Sequence, residues 1–217
     1  MLTGKRMTHP VITISPETSV ADALRIMHER HIRRLPVVKN GKLVGIVSER
    51  TLLKASPSIA TTLDVYEIKE ALDKLKVESI MKREVITVTE DTPLEDVARL
   101  MAENKIGGIP VVKGDEVVGI ITETDIFKVF LEVLGAHEAG IRVSAYIGQE
   151  PGTIAKLAKA IADIGGNIRS LGTFLGESSG NIEVTLKVCG VTKEQLAEAV
   201  TPNVVELIDI RGMKSTC

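Results

Sequence analysis

The chain has 217 residues, 44% of them hydrophobic and 26% charged, and a formal net charge of −2. This is enough apolar material for one or two packed domains and too much for a disordered chain. The near-neutral charge argues against a nucleic-acid partner, whose phosphates call for a basic face.

Aromatic residues make up only 2% and Trp is absent, so any core must be aliphatic. No run approaches the roughly 18 apolar residues of a membrane span. The opening Met1-Leu2-Thr3-Gly4-Lys5-Arg6 lacks the apolar centre of a signal peptide. The expectation is a soluble, cytoplasmic chain with no membrane partner.

From Met7 onward the sequence repeats itself. Shifted by 74 positions, residues 7–54 superpose on 81–128 without a gap: Met7 on Met81, Thr13 on Thr87, Asp22 on Asp96, Pro36-Val37-Val38-Lys39 on Pro110-Val111-Val112-Lys113. A gapless match of that length is a duplication.

Each copy predicts a short strand (11–14 and 85–88), a turn and an amphipathic helix. The helical stripes are Val20/Ala23/Leu24/Met27 and Leu94/Val97/Ala98/Met101. In Thr92-Pro93-Leu94-Glu95 the pattern predicts Thr92 as N-cap with Pro at the first helical position. A Pro-opened strand and a Gly-containing turn then return the chain as a hairpin. The copy closes on Gly45-Ile46-Val47-Ser48-Glu49-Arg50-Thr51 or Gly119-Ile120-Ile121-Thr122-Glu123-Thr124-Asp125, where a strand runs straight into a helix.

Thr122 and Asp125, three apart at that helix start, suit two tasks: capping the helix, and gripping the hydroxyls of a sugar. Between the copies, residues 55–75 predict a loop and a helix carrying Leu63, Ile68, Leu72 and Leu75. After the second copy, Gly135 and Gly140 bracket a linker.

The rest follows another order. Strand 141–147, a turn, the helical stripe Ile154/Leu157/Ala158/Ile161 ended by Gly165-Gly166, strands 168–175 and 182–188, a helix opened by Thr192-x-x-Gln195, and strand 204–210 spell βαββαβ. That order predicts a ferredoxin-like layer of helices on an antiparallel sheet.

Cys189 and Cys217 fit no metal or redox spacing, and Cys189 reads as a small core residue. His28 and His31 have no third ligand near them in sequence, so no metal is expected. There is no P-loop, no nucleophile elbow and no HExxH, which argues against an enzyme and against any catalytic cofactor.

The two copies resemble CBS (cystathionine-β-synthase) domains, through the h-P-V-V turn and the G-h-x-[ST]-x-x-D junction. Two such domains form a Bateman module, which binds adenine nucleotides. The last segment resembles an ACT domain through Glu150-Pro151-Gly152 and Gly165-Gly166-Asn167-Ile168. The whole order is similar to acetoin-utilisation proteins of the AcuB type.

The resemblance implies an α+β, α/β chain: CBS repeat 1 over 1–60, a linker and helix over 61–76, CBS repeat 2 over 77–135, a linker over 136–140, and an ACT domain over 141–217. It also implies a non-catalytic sensor and a homodimer, regulating an unknown protein target. Its ligands would be AMP, ADP or ATP in the CBS pair and an amino acid or small acid in the ACT domain. The alternative is an oligomerising scaffold.

Carried over residue by residue, the first nucleotide site combines Thr13, Ile32, Arg33 and Arg34 with Ile120, Thr122, Thr124 and Asp125. It offers an apolar slot for adenine, a carboxylate for ribose and two guanidiniums for phosphate. The second combines Thr87, Gly107 and Gly108 with Ser48, Arg50 and Thr51. It lacks the ribose carboxylate and the Arg pair, and so is expected to be degraded. On the bland reading Arg33/Arg34 are a solvated pair and Gly107-Gly108 mark a close backbone approach.

Overall fold

A computed structural model describes residues 1–55, 72–177 and 179–213. The chain forms two compact units, Met1–Ile126 and Phe127–Cys217.

In the first unit, helix α1 (Val20–Glu29) begins at Ser19, whose side chain accepts the Asp22 N–H at 3.1 Å, and it buries Val20, Ala23 and Met27. Strands β1 (Arg34–Lys39) and β2 (Lys42–Ser48) pair antiparallel. They turn through Asn40 and Gly41, both at positive φ as a tight hairpin requires. Helix α2 (Glu49–Ala55) follows directly. The second copy repeats the plan with α3 (Leu94–Asn104), the antiparallel pair β3 (Gly108–Lys113) and β4 (Glu116–Thr122), and α4 (Glu123–Val133).

Two local expectations change. Strands 11–14 and 85–88 are each reduced to one parallel bridge, Ile14 to Val37 and Val88 to Val111, because the chain turns away at once through Ser15–Thr18 and Thr89–Thr92. Thr92 does not cap α3. Its hydroxyl accepts the Thr89 N–H at 3.1 Å, and the Leu94 N–H donates instead to the Met1 carbonyl at 2.9 Å.

That last contact belongs to an exchange between the copies. The segment leading into the first copy pairs with the second: Gly4 N–H donates to Glu90 O, and Thr8 and Ile120 bond each other's backbone. The segment leading into the second copy pairs with the first: Val77 N–H donates to Thr18 O, and Ile46 and Lys82 bond reciprocally. Gly45 and Gly119 make room for this. A Cβ on Gly45 would meet Met81 Cγ at 2.9 Å, and one on Gly119 would meet Met7 Cγ at 3.1 Å. Met81, Leu72 and Leu75 thereby join the core of the first copy. The expected helix carrying Leu63 and Ile68 falls in 56–71, outside the described residues.

The second unit is a four-stranded antiparallel sheet. Its elements are β5 (Gly140–Gly148), α5 (Thr153–Asp163), β6 (Asn167–Leu175), β7 (Asn181–Cys189), α6 (Lys193–Val200) and β8 (Glu206–Met213), in spatial order β6-β7-β5-β8. This is the ferredoxin-like order expected from βαββαβ. Helix α6 opens on a complete capping box between Thr192 and Gln195.

Alternation along the strands sends Val143, Ala145, Ile147, Val184, Leu186 and Val188 to a core with Leu157, Ile161, Leu196 and Val200. The alternate positions Arg142, Ser144, Thr185 and Lys187 carry polar groups. Ser144 and Thr185 bond at 2.8 Å, and Lys187, 3% exposed, donates to the carbonyls of Gly135 and Glu138. Cys189, expected as a small core side chain, is half-buried and disulfide-bonded.

Candidate adenine-nucleotide cleft

The junction between β4 and α4 shows why Thr122 and Asp125 stand three apart. Asp125 Oδ2 accepts the Thr122 N–H at 2.9 Å and the Thr122 hydroxyl at 2.6 Å. The carboxylate therefore closes the N-terminus of α4 and opposes the positive end of its dipole. At the equivalent junction between β2 and α2, Ser48 accepts the Thr51 N–H at 3.2 Å and the two hydroxyls bond at 2.8 Å. The backbones match; the charge does not.

Capping leaves Asp125 on the wall of a cleft of about 250 Å³. That cleft brings together Ile32, Arg33, Arg34, Ile120, Thr122, Thr124 and Asp125. Ile32 lies just before β1 and Ile120 on β4, so one apolar side chain comes from each copy. Of the eight residues expected from the sequence, Thr13 alone is not brought in. It is exposed beside the buried Ile14, and its neighbours Val11 and Ile12 line the wall in its place. Thr8, Pro10 and His31 also line the cleft and were not anticipated. Thr8 arrives through the exchanged leading segment.

Arg33 and Arg34 also line a second cleft, of about 460 Å³, with Ser48, Arg50, Thr51, Lys82, Lys105 and Gly107-Gly108 among its other walls. The Arg34 side chain lies against those two glycines, and a Cβ on Gly108 would come within 2.8 Å of Arg34 Cδ. The close approach expected there is thus an approach of Arg34. Burial pulls its guanidinium below the ordinary value; the Glu123 carboxylate opposes this, and the like charge of Arg33 adds to it. Thr87 lies elsewhere, near Lys42, Arg83 and Asp115. Among the described residues no three His, Cys, Asp or Glu side chains could hold a metal ion, and no helix is long and apolar enough to cross a membrane.

Part of the chain is similar to known proteins. Over 127 residues the chain is 37% identical to an uncharacterised protein of Methanocaldococcus jannaschii, matching 57% of this chain and 45% of the relative. Over 126 residues it is 36% identical to L-aspartate semialdehyde sulfurtransferase of the same organism, matching 57% of this chain but only 22% of that enzyme. The chain therefore spans less than half of these two relatives.

Solved structures are similar as well. The CBS domain pair of protein MJ0100, in complex with 5′-methylthioadenosine and S-adenosyl-L-methionine, has 34% identity and a TM-score of 0.51 over 64% of this chain and 98% of that one. CBSX2 in complex with AMP has 31% identity and a TM-score of 0.50 over 61% and 97%. A Vibrio cholerae protein assigned to acetoin utilization, AcuB, has 30% identity and a TM-score of 0.52 over 63% and 95%.

The CBS domain model matches residues 4–58 and 77–132, together just over half of the chain. The chain belongs to the CBS-domain family.

Proposed function

We propose that this protein is a non-catalytic sensor that binds one adenine nucleotide, AMP, ADP or ATP, in the first cleft. The observation that carries the proposal is convergence: Ile32 and Ile120, the Asp125 carboxylate and the Arg33/Arg34 pair meet in one place from two copies. Adenine would lie between the isoleucines, the ribose hydroxyls would donate to Asp125, and the guanidiniums would hold phosphate. Thr122 and Thr124 would add hydroxyl contacts. The AMP complex of CBSX2 and the adenosyl ligands of the MJ0100 pair support this chemistry.

Calorimetry with adenosine, AMP, ADP, ATP and S-adenosylmethionine tests it. One adenine ligand per chain is expected. No binding by any of them overturns the reading and leaves an oligomerising scaffold.

In this reading the CBS repeats occupy 1–60 and 77–135 around the 61–76 linker, and 136–140 leads to an ACT domain over 141–217. The βαββαβ order supports the ACT assignment, as does Gly152 at φ 89 immediately before α5. An amino acid or small acid would bind at 148–153, where the start of α5 offers backbone N–H groups. The AcuB likeness favours a target in acetoin or related carbon metabolism. The protein should be a homodimer, which light scattering at micromolar concentration checks; a monomer with and without nucleotide would refute that.

A further inference from the structure

The two clefts are built on equivalent backbone positions, 74 residues apart, so their walls can be compared position by position. Thr8 of the first cleft corresponds to Lys82 of the second, His31 to Lys105, Thr124 to Arg50 and Asp125 to Thr51. His31 and Lys105 even share a left-handed backbone, each with φ 52. Every one of these four differences moves the second cleft toward positive charge: three gain a full-time cation and one loses a carboxylate. The Arg33/Arg34 pair, replaced in the second copy by Gly107 and Gly108, is not lost to the second cleft. It reaches over from the first copy, and the two glycines admit the Arg34 side chain.

The result is five cations, Arg33, Arg34, Arg50, Lys82 and Lys105, against the lining carboxylate of Glu49 and that of Glu123, which lies beside Arg34 at Gly107. A concave wall of one sign concentrates its field on whatever anion enters. Its junction offers only the hydroxyls of Ser48 and Thr51, which bond each other, and no carboxylate at the position of Asp125. The second cleft has thus exchanged nucleoside recognition for charge.

We propose that the second cleft is an oligophosphate site, taking a chain of two or more phosphate groups and not a second nucleoside. Arg guanidiniums supply planar two-point contacts to phosphate oxygens and Lys ammoniums supply mobile point charges. Because Arg33 and Arg34 wall both clefts, the phosphates have two sources: the tail of a nucleotide seated in the first cleft, or a separate oligophosphate. The first source rests on the function proposed above; the second does not.

The test is calorimetry with inorganic tripolyphosphate, AMP and ATP on the parent and on a Lys82→Gln/Lys105→Gln double variant. Both side chains are exposed, so the fold should survive, and a thermal melt checks that. Tripolyphosphate should bind the parent, and the variant should lose about 10-fold or more of that affinity. AMP affinity should stay within about twofold, since neither lysine lines the first cleft. An ATP advantage over AMP that disappears in the variant identifies a nucleotide tail. Tripolyphosphate that binds AMP-saturated protein undiminished identifies a separate ligand. A parent that binds no tripolyphosphate and holds ATP no tighter than AMP overturns the proposal, as does a variant that binds tripolyphosphate like the parent. Failure of AMP alone to bind counts only against the first cleft.

Discussion

Asp125 holds two jobs in this structure, and substitutions can separate them. As a cap it accepts the Thr122 N–H at 2.9 Å and the Thr122 hydroxyl at 2.6 Å. As a ligand group it would accept hydrogen bonds from a ribose. Asp125→Ala removes both functions: about 0.5–2 kcal/mol of stability from the cap, and about 1.5–3 kcal/mol of binding from each charge-assisted hydrogen bond to ligand. The second figure corresponds to roughly a 10- to 150-fold weaker complex. Asp125→Asn is the sharper variant, because an amide oxygen can still accept the Thr122 N–H while the charge is gone. It should melt close to the parent, yet bind AMP about 10-fold or more weaker. Thr51→Ala, at the equivalent position of the first copy, should leave AMP affinity nearly unchanged. Calorimetry with AMP, paired with thermal melts, reads both quantities. An Asp125→Asn protein that binds AMP like the parent would refute the ribose contact and leave Asp125 as a helix cap alone.

Arg33→Ala and Arg34→Ala should weaken AMP and ATP while sparing adenosine, since their contact is with phosphate; equal losses for adenosine in the same titrations would contradict this. Lys187→Met leaves the Gly135 and Glu138 carbonyls without their buried donor and should cost about 1–3 kcal/mol, read as a lower urea midpoint at unchanged slope. Arg211, and with it Arg142, holds the Asp209 carboxyl below the usual carboxylate range. Its folded pKa is therefore below its unfolded one near 4, so its contribution is complete above that unfolded value and is lost as pH falls through the folded one. Asp209→Asn should accordingly be less stable than the parent at neutral pH, with the gap closing below about pH 4 in urea melts taken across the acid range.

The sequence is most legible where structure is local. The stripe in α1, the Asn40-Gly41 turn and the Thr192/Gln195 box all act within a few residues, and each forms as its pattern predicts. Periodicity sufficed for the second unit as well, because one apolar face per strand leaves little choice of side. What could not be read is where partners lie far apart. Thr92 has the right residue type for a cap, but its hydroxyl closes the 89–92 turn and the cap comes from Met1, 93 positions before Leu94. The exchange of leading segments left one faint signal, Gly45 and Gly119 each opposite a methionine from the other copy's lead. A glycine in a strand announces a close approach but not by whom.

The same limit applies to the second cleft. Compared one position at a time, Gly107 and Gly108 lack the arginines of the first copy and the site looks emptied. In three dimensions the exchanged lead brings Lys82 to that wall, and the hairpin of the first copy brings Arg33 and Arg34. A duplication folded this way does not make two independent sites, because each cleft draws walls from both copies. A single substitution can then act on either cleft or, at Arg33 and Arg34, on both. Asp125 and Thr51 sit at equivalent helix starts, and where Asp125 closes one of them Ser48 caps the other by accepting the Thr51 N–H, so the helix does not dictate the difference between them. That freedom lets one cleft retain a carboxylate suited to a sugar while the other carries more cations than carboxylates. Their shared Arg wall makes the charge in one cleft part of the environment of the other.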